Sequence, residues 1–212
     1  MYEEWRPIYT ALVCDIMDQL GYRDQSMDYQ IRPATADTWF AGPAATLDVY
    51  AQAEPVDDPY GKVFEAYNQV SKGDVIVIAT NGEHASGMWG ELLSTAAQAS
   101  GVESVVTDGL VRDIRLMNEM GFGCFCRGYT PLDSAGRSLA KSVNETVVCG
   151  GVTVHPGDFI LADFEGVAVI PAAIRDQVLI KSQEKMEGEN TVRDELAAGA
   201  SPREVFDKYG IL

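Results

Sequence analysis

Arg112-Asp113, preceded by Glu91, sets a guanidinium and two carboxylates beside two glycine-containing turns. In the first, Gly87-Met88-Trp89-Gly90 runs into Glu91-Leu92-Leu93 and the helix-forming stretch 94–99. In the second, Asp108-Gly109-Leu110-Val111-Arg112-Asp113 opens another helical stretch, 114–120. A helix start carries unpaired N–H groups and partial positive charge, so it favours a carboxylate or phosphate. Glycine just before it lets a ligand approach the backbone. A guanidinium forks onto a carboxylate, and an aspartate ligates a divalent cation. Together these residues describe a metal-assisted site for a small oxo-acid. Each also has a plainer reading. An acid in the first turn of a helix stabilises its dipole, and Asp108 between an apolar run and a glycine is as much a turn former as a ligand.

The elements that must position them follow from periodicity. Ile8, Leu12, Ile16 and Leu20 recur every four residues and predict an amphipathic helix over 7–21, ended by Gly21. A polar loop to residue 41, a strand over 45–50, a loop over 52–59 and a helix over 60–70 come next. Val75-Ile76-Val77-Ile78-Ala79 is apolar at every position, as expected of a strand buried on both faces. A helix over 90–100, a strand over 102–107, a helix over 112–120 and a strand around 122–126 complete a strand–helix alternation. Short links of this kind join parallel strands by right-handed crossovers, and ligands then lie beyond the carboxyl ends of the strands. Both glycine turns fall there. Residues 143–170 hold short β-prone runs broken by Gly150-Gly151, Pro156-Gly157-Asp158 and Asp163-Phe164-Glu165-Gly166, which are hairpin signals. A helix over 172–187 and another from Ser201-Pro202 close the chain. The expectation is one α/β domain over 1–212, a central β-sheet core flanked by helices, with a helical tail over about 172–212.

Composition excludes several function classes. A net charge of -16 opposes binding to nucleic acid or to an anionic membrane, so neither is an expected partner. An anionic substrate then needs concentrated local positive charge, which Arg112, a helix start and a divalent cation would supply. No apolar run is long enough to span a bilayer and the N-terminus is polar, so a cytoplasmic location is expected. Cys14, Cys124, Cys126 and Cys149 contain no C-x-x-C pair and read as buried free thiols. His84 and His155 cannot form a zinc set; His84 is near enough to the first turn to line the pocket. Trp89 is read as packing rather than pocket wall. The G-x-x-G pattern lacks both the phosphate-loop lysine and the dinucleotide G-x-G-x-x-G, which disfavours a nucleotide.

Several separated blocks carry a family resemblance: Gly90-Glu91-Leu92-Leu93-Ser94-Thr95-Ala96-Ala97, Val106-Thr107-Asp108-Gly109-x-Val111-Arg112-Asp113, Gly121-Phe122 and Arg127-Gly128-x-Thr130-Pro131. With Ile31-Arg32-Pro33, Ala41-Gly42-Pro43-Ala44, Pro156-Gly157-Asp158, Ala162-Asp163-x-x-Gly166-Val167 and Ile170-Pro171, they cover most of the chain. The chain resembles the RraA-like family, which includes class II pyruvate aldolases acting on 4-hydroxy-4-methyl-2-oxoglutarate and 4-carboxy-4-hydroxy-2-oxoadipate. The resemblance implies a swivelling α/β/α fold, a homotrimer or hexamer, and a Mg²⁺ or Mn²⁺ cofactor. Active members carry an acid, twenty intervening positions, then Arg-Asp; Glu91, residues 92–111 and Arg112-Asp113 fit, with Glu in the usual place of Asp. It implies that Asp113 contacts the metal, that Glu91 holds metal-bound water, and that Arg112 binds the oxo-acid end. Backbone N–H groups of Gly90, Glu91, Leu92 and Leu93 would receive the substrate carboxylate. The implied reaction is retro-aldol cleavage of a 4-hydroxy-2-oxo diacid to pyruvate, with a water or hydroxide oriented by Glu91 as base and oxaloacetate decarboxylation at the same site. A neighbouring subunit would add an acid, Glu189 or Glu195. Two alternatives stand beside it: another metal-dependent lyase or hydro-lyase on an oxo- or hydroxy-acid, and a non-catalytic binding protein of the ribonuclease E regulator kind. Such regulators lack the Arg-Asp pair.

Overall fold

The apolar run Val75–Ala79 is strand β3, with every residue buried. Its side chains alternate: Val75, Val77 and Ala79 enter one core, Ile76 and Ile78 another. A computed structural model describes residues 2–36, 38–54, 56–102 and 104–211. In chain order the strands are β1 (Arg32–Pro33), β2 (Phe40–Ala51), β3, β4 (Gly87–Trp89), β5 (Ser104–Thr107), β6 (Leu110–Val111) and β7 (Gly123–Cys126). They continue with β8 (Gly128–Tyr129), β9 (Ser138–Val143), β10 (Val147–Cys149), β11 (Val152–Val154), β12 (Phe159–Asp163) and β13 (Gly166–Ile170). The helices are α1 (Thr10–Gln19), α2 (Gly61–Tyr67), α3 (Glu91–Ala99), α4 (Ile114–Glu119), α5 (Arg175–Ala197) and α6 (Pro202–Tyr209).

The main sheet runs β1-β7-β5-β3-β2-β12-β13, with β9 also on β2. The pairs β2–β3, β3–β5 and β5–β7 are parallel, as the strand–helix alternation required, and the remaining pairs are antiparallel. The sheet curls until it nearly closes. Residues 25–27 bond β13, with Met27 N donating to Val167 O at 2.9 Å and Val169 N to Gln25 O at 2.8 Å, while residues 32–33 pair with β7. The expected β-sheet core flanked by helices is therefore present as a mixed α/β fold.

Inside the curl, Val77, Val106, Phe125, Ile160 and Val169 pack with the β10–β11 hairpin. Outside, α3 and α4 cover Ile76, Ile78, Val105 and Cys124, and α1 and α5 cover Phe159, Leu161 and Ile170. Among the described residues no helix is long and apolar enough to cross a membrane. Four expectations need correction. β2 spans twelve residues because it serves three partners in succession: β12, β3 and, past a bulge at Asp48/Val49, β9. Part of the predicted loop before it is β1. β9 begins at Ser138, ahead of the predicted β region. The helix expected over 172–187 runs to Ala197.

Candidate active site

Three of the four parallel strands of the core continue beyond their carboxyl ends into a second, smaller parallel sheet: β3 leads to β4, β5 to β6 and β7 to β8. Gly87 pairs with Leu110 and Trp89 with Val111, and Arg112 N donates to Trp89 O at 2.9 Å. That register sets Arg112 beside Gly90. A Cβ on Gly90 would come within 2.6 Å of Asp113 Oδ2 and 3.0 Å of Arg112 Cγ. Since φ there is -160°, ordinary extended backbone, it is the missing side chain that the position needs. Asp113 precedes α4 with φ 59° and ψ 27°, the left-handed region, which costs a non-glycine residue about 1–2 kcal/mol. The conformation brings its carboxylate back toward α3. There Oδ2 accepts from Glu91 N at 3.4 Å and lies 3.6 Å from Arg112 Nε.

These residues edge a cleft of about 590 Å³ between α2, α3 and the small sheet. Arg112 Nη1 is 3.2 Å from Asp133 Oδ1, so two carboxylates hold the guanidinium, and Tyr60 Oη lies 3.4 Å from Asp133 Oδ2. Trp89 is buried, donates Nε1–H to Ser94 Oγ at 2.8 Å, and Ser94 Oγ–H donates to Gly90 O at 2.9 Å, which pins the turn. Tyr67 donates to Leu93 O at 2.5 Å, and burial pushes its phenol well above the usual range, so it stays a neutral donor. A second opening of about 360 Å³, walled by Tyr129 and Thr130, shares Arg112 and Asp113 with the first.

Gly90, Leu92, Leu93, Arg112 and Asp113 all line the cleft. Glu91 does not; its Oε1 accepts from Thr95 Oγ1 at 2.9 Å, one turn along α3. The second helix start also needs correction. Leu110–Val111 is strand, and α4 begins only at Ile114, so strand pairing rather than a helix terminus positions Arg112. Asp108 is a buried structural acid: Oδ1 accepts from Thr80 N at 2.7 Å and Thr80 Oγ1 at 2.8 Å, and Oδ2 from Gly150 N at 3.2 Å. His84 does not line the cleft. Trp89 both packs and walls the cleft. Glu189 accepts from Tyr9 Oη, and Glu195 from Lys208 Nζ at 2.7 Å and Tyr209 Oη at 2.6 Å, all within the chain. Sequence reasoning missed Asp133, Tyr60, Phe64 and Tyr67. Asp133 had only the mark of an ordinary loop aspartate after Thr130-Pro131.

Among the described residues no three His, Cys, Asp or Glu side chains gather closely enough to cage an ion. The charged donors at the cleft are carboxylates. That set suits a hard cation that keeps several waters and takes one or two carboxylates with substrate oxygens.

The model for the RraA-like family, described as Aldolase/RraA, matches residues 10–169. The chain belongs to the RraA-like family. A relative from Halalkalibacterium halodurans, provisionally named 4-hydroxy-4-methyl-2-oxoglutarate aldolase, is 32% identical over 86% of this chain and 81% of its own. A solved structure of an uncharacterized protein from Pseudomonas syringae pv. tomato superposes with a TM-score of 0.86 at 26% identity, covering 98% of this chain and 92% of that one. Streptomyces coelicolor RraAS2, described as an unusual member of the RNase ES inhibitor RraA family, superposes at 0.81 and 26% identity over 91% and 96%. For this RraA-like chain the family match stops at residue 169, before α5 and α6.

Proposed function

We propose that the chain is a divalent-metal-dependent carbon–carbon lyase that cleaves a 4-hydroxy-2-oxo acid to pyruvate by a retro-aldol reaction and decarboxylates oxaloacetate at the same site. The observation that carries this is Arg112, clamped between Asp113 and Asp133 at the mouth of a cleft floored by the α3 N-terminus. The aldolase name borne by a relative at 32% identity supports it.

Asp113 would hold a Mg²⁺ or Mn²⁺ ion, and Glu91 would reach the ion's water shell only on releasing Thr95 Oγ1. When bound, the ion supplies Lewis-acid polarisation of the 2-oxo group and charge compensation for the enolate. Arg112, oriented by Asp133, forks onto the oxo-acid end and offsets the charge that grows as the C3–C4 bond breaks. The unpaired N–H groups of Leu92 and Leu93 in the first turn of α3 receive the substrate carboxylate. A hydroxide in the cleft would take the C4 hydroxyl proton and leave as water. Trp89, Met88 and Leu93 shield the enolate from bulk water.

Pyruvate release from oxaloacetate, followed by coupled NADH oxidation with lactate dehydrogenase, tests the reading. The expected result is turnover that needs Mg²⁺ or Mn²⁺ and exceeds the rate of the metal alone; a rate equal to the metal-only control overturns it. The likeness to RraAS2 favours a second reading, a binding protein acting on a ribonuclease without chemistry. Absence of turnover together with inhibition of a ribonuclease E-type enzyme would select it.

A further inference from the structure

Arg112 stands between two carboxylates, and the structure divides it unequally. Asp113 Oδ2 lies 3.6 Å from Nε, outside hydrogen-bond range, whereas Asp133 Oδ1 lies 3.2 Å from Nη1. Asp113 is the side chain that a cation in the cleft would need. Its carboxylate has about four lone-pair positions, one of them turned to Glu91 N at 3.4 Å. A guanidinium settled on it in the two-pronged way that arginine favours would take two more, and would set a positive charge beside the dication. Metal binding at Asp113 therefore requires that the guanidinium be held back.

Asp133 is held where it can do so. The loop that carries it is tied to the start of β4, where Gly87 N donates to Leu132 O at 2.9 Å and Gly87 bridges to Asp133. Asp133 Oδ1 accepts from Ser134 N at 2.8 Å, and Tyr60 Oη lies 3.4 Å from Oδ2. Arg137 donates Nη1–H to the Asp133 carbonyl oxygen at 3.0 Å. All of these contacts lie within one chain and do not depend on a second copy bordering the cleft. The side chains of Arg112, Asp113 and Asp133 are 33%, 39% and 40% exposed, so solvent screens both pairs. The effect on affinity is then a few-fold rather than orders of magnitude.

We propose that Asp133 is a positioning residue for the metal: by drawing Arg112 away from Asp113 it sets how tightly Asp113 takes a divalent cation. The proposal rests on the metal assignment in the reading above and adds a control on metal loading to that site. Removing the Asp133 charge releases the guanidinium onto Asp113, where it competes with the ion.

The test titrates the full chain with Mn²⁺, followed by electron paramagnetic resonance, in the wild type, Asp133→Asn, Arg112→Gln and the double variant. Asparagine keeps the oxygen that accepts from Ser134 N and removes the charge, and circular dichroism checks that each variant is folded. Asp133→Asn is expected to weaken Mn²⁺ binding at least about threefold, and Arg112→Gln to bind Mn²⁺ at least as tightly as the wild type. In the Arg112→Gln background, Asp133→Asn should change the Kd by less than about twofold. Wild-type affinity in Asp133→Asn overturns the proposal. So does an equal loss in both backgrounds, the result expected if Asp133 acted on the ion directly or only kept the loop in shape. Weaker binding in Arg112→Gln would show that the guanidinium does not compete for Asp113, and would overturn it too. A wild type that binds no Mn²⁺ removes the metal assignment and the proposal with it. The expected pattern without pyruvate release from oxaloacetate supports the proposal and removes the lyase reading alone.

Discussion

Gly90→Ala isolates one contact of the proposed site. The backbone there is extended, so alanine meets no conformational penalty; the added Cβ simply lies 2.6 Å from Asp113 Oδ2 and 3.0 Å from Arg112 Cγ. Restoring ordinary contact at about 3.4 Å moves the carboxylate by roughly 0.8 Å, because the backbone of Gly90 is held by Ser94 Oγ and N. Displacements of about 1 Å in a catalytic arrangement cost on the order of 100-fold in rate. A fall of 10- to 100-fold in kcat/KM, about 1.4–2.7 kcal/mol in the barrier, is expected for pyruvate release from oxaloacetate. Alanine is also a poorer helix N-cap than glycine, by about 1 kcal/mol, so Tm should fall by only about 2–4 °C. Mn²⁺ titration followed by electron paramagnetic resonance should show weaker binding in the same variant, since Asp113 is the proposed ligand and the group displaced. Wild-type kcat/KM with wild-type Mn²⁺ affinity would refute the placement of Asp113 in the reaction.

Arg112→Ala and Asp113→Ala should each lower kcat by at least about 100-fold, while circular dichroism and the molecular mass in solution stay as in the wild type; wild-type turnover in either would move the site elsewhere. Asp108→Asn should unfold earlier at unchanged secondary structure, because an amide NH₂ would then face Gly150 N–H or Thr80 N–H in a buried pocket. A cost of about 1–3 kcal/mol predicts a Tm lower by about 2–12 °C in a thermal scan, and an unchanged Tm would contradict the buried geometry. Burial pushes the Cys14 thiol from 9.0 up to about 11, and burial with the hydrogen bond to Glu189 pushes Tyr9 from 10.0 up to about 12. Unfolded chains therefore lose these protons before folded ones do, so stability is intact below about pH 9 and declines between about pH 9 and 12. Urea midpoints should hold between pH 8 and 9 and fall between pH 9 and 11; a midpoint that rises over the second interval would reverse the sign of both shifts.

Much of this fold is written locally. The all-apolar run 75–79, the four-residue spacing of Leu12 and Ile16, and the glycine ahead of α3 each specify an element through neighbours in the chain, because burial on two faces or one stripe needs only a local pattern. The parallel order of β3, β5 and β7 follows from the alternation of strands with helices. The pairing of Arg112 with Asp113 in one cleft was also legible, since adjacent residues cannot be far apart. What no local pattern contains is the return of the chain. Asp133 reaches Arg112 from twenty-one residues away, and Tyr60 and Phe64 arrive on α2, because the register of β4, β6 and β8 sets Gly87 against Asp133. The same holds for the losses: Asp108 is drawn off to Thr80 and Glu91 to Thr95. Residue types alone determine which chemistry is affordable to this chain, a guanidinium and carboxylates around a small acid. Only tertiary packing decided which of those charges meet and that the walls facing them are apolar, since side-chain convergence depends on strand register and helix placement summed over the whole fold.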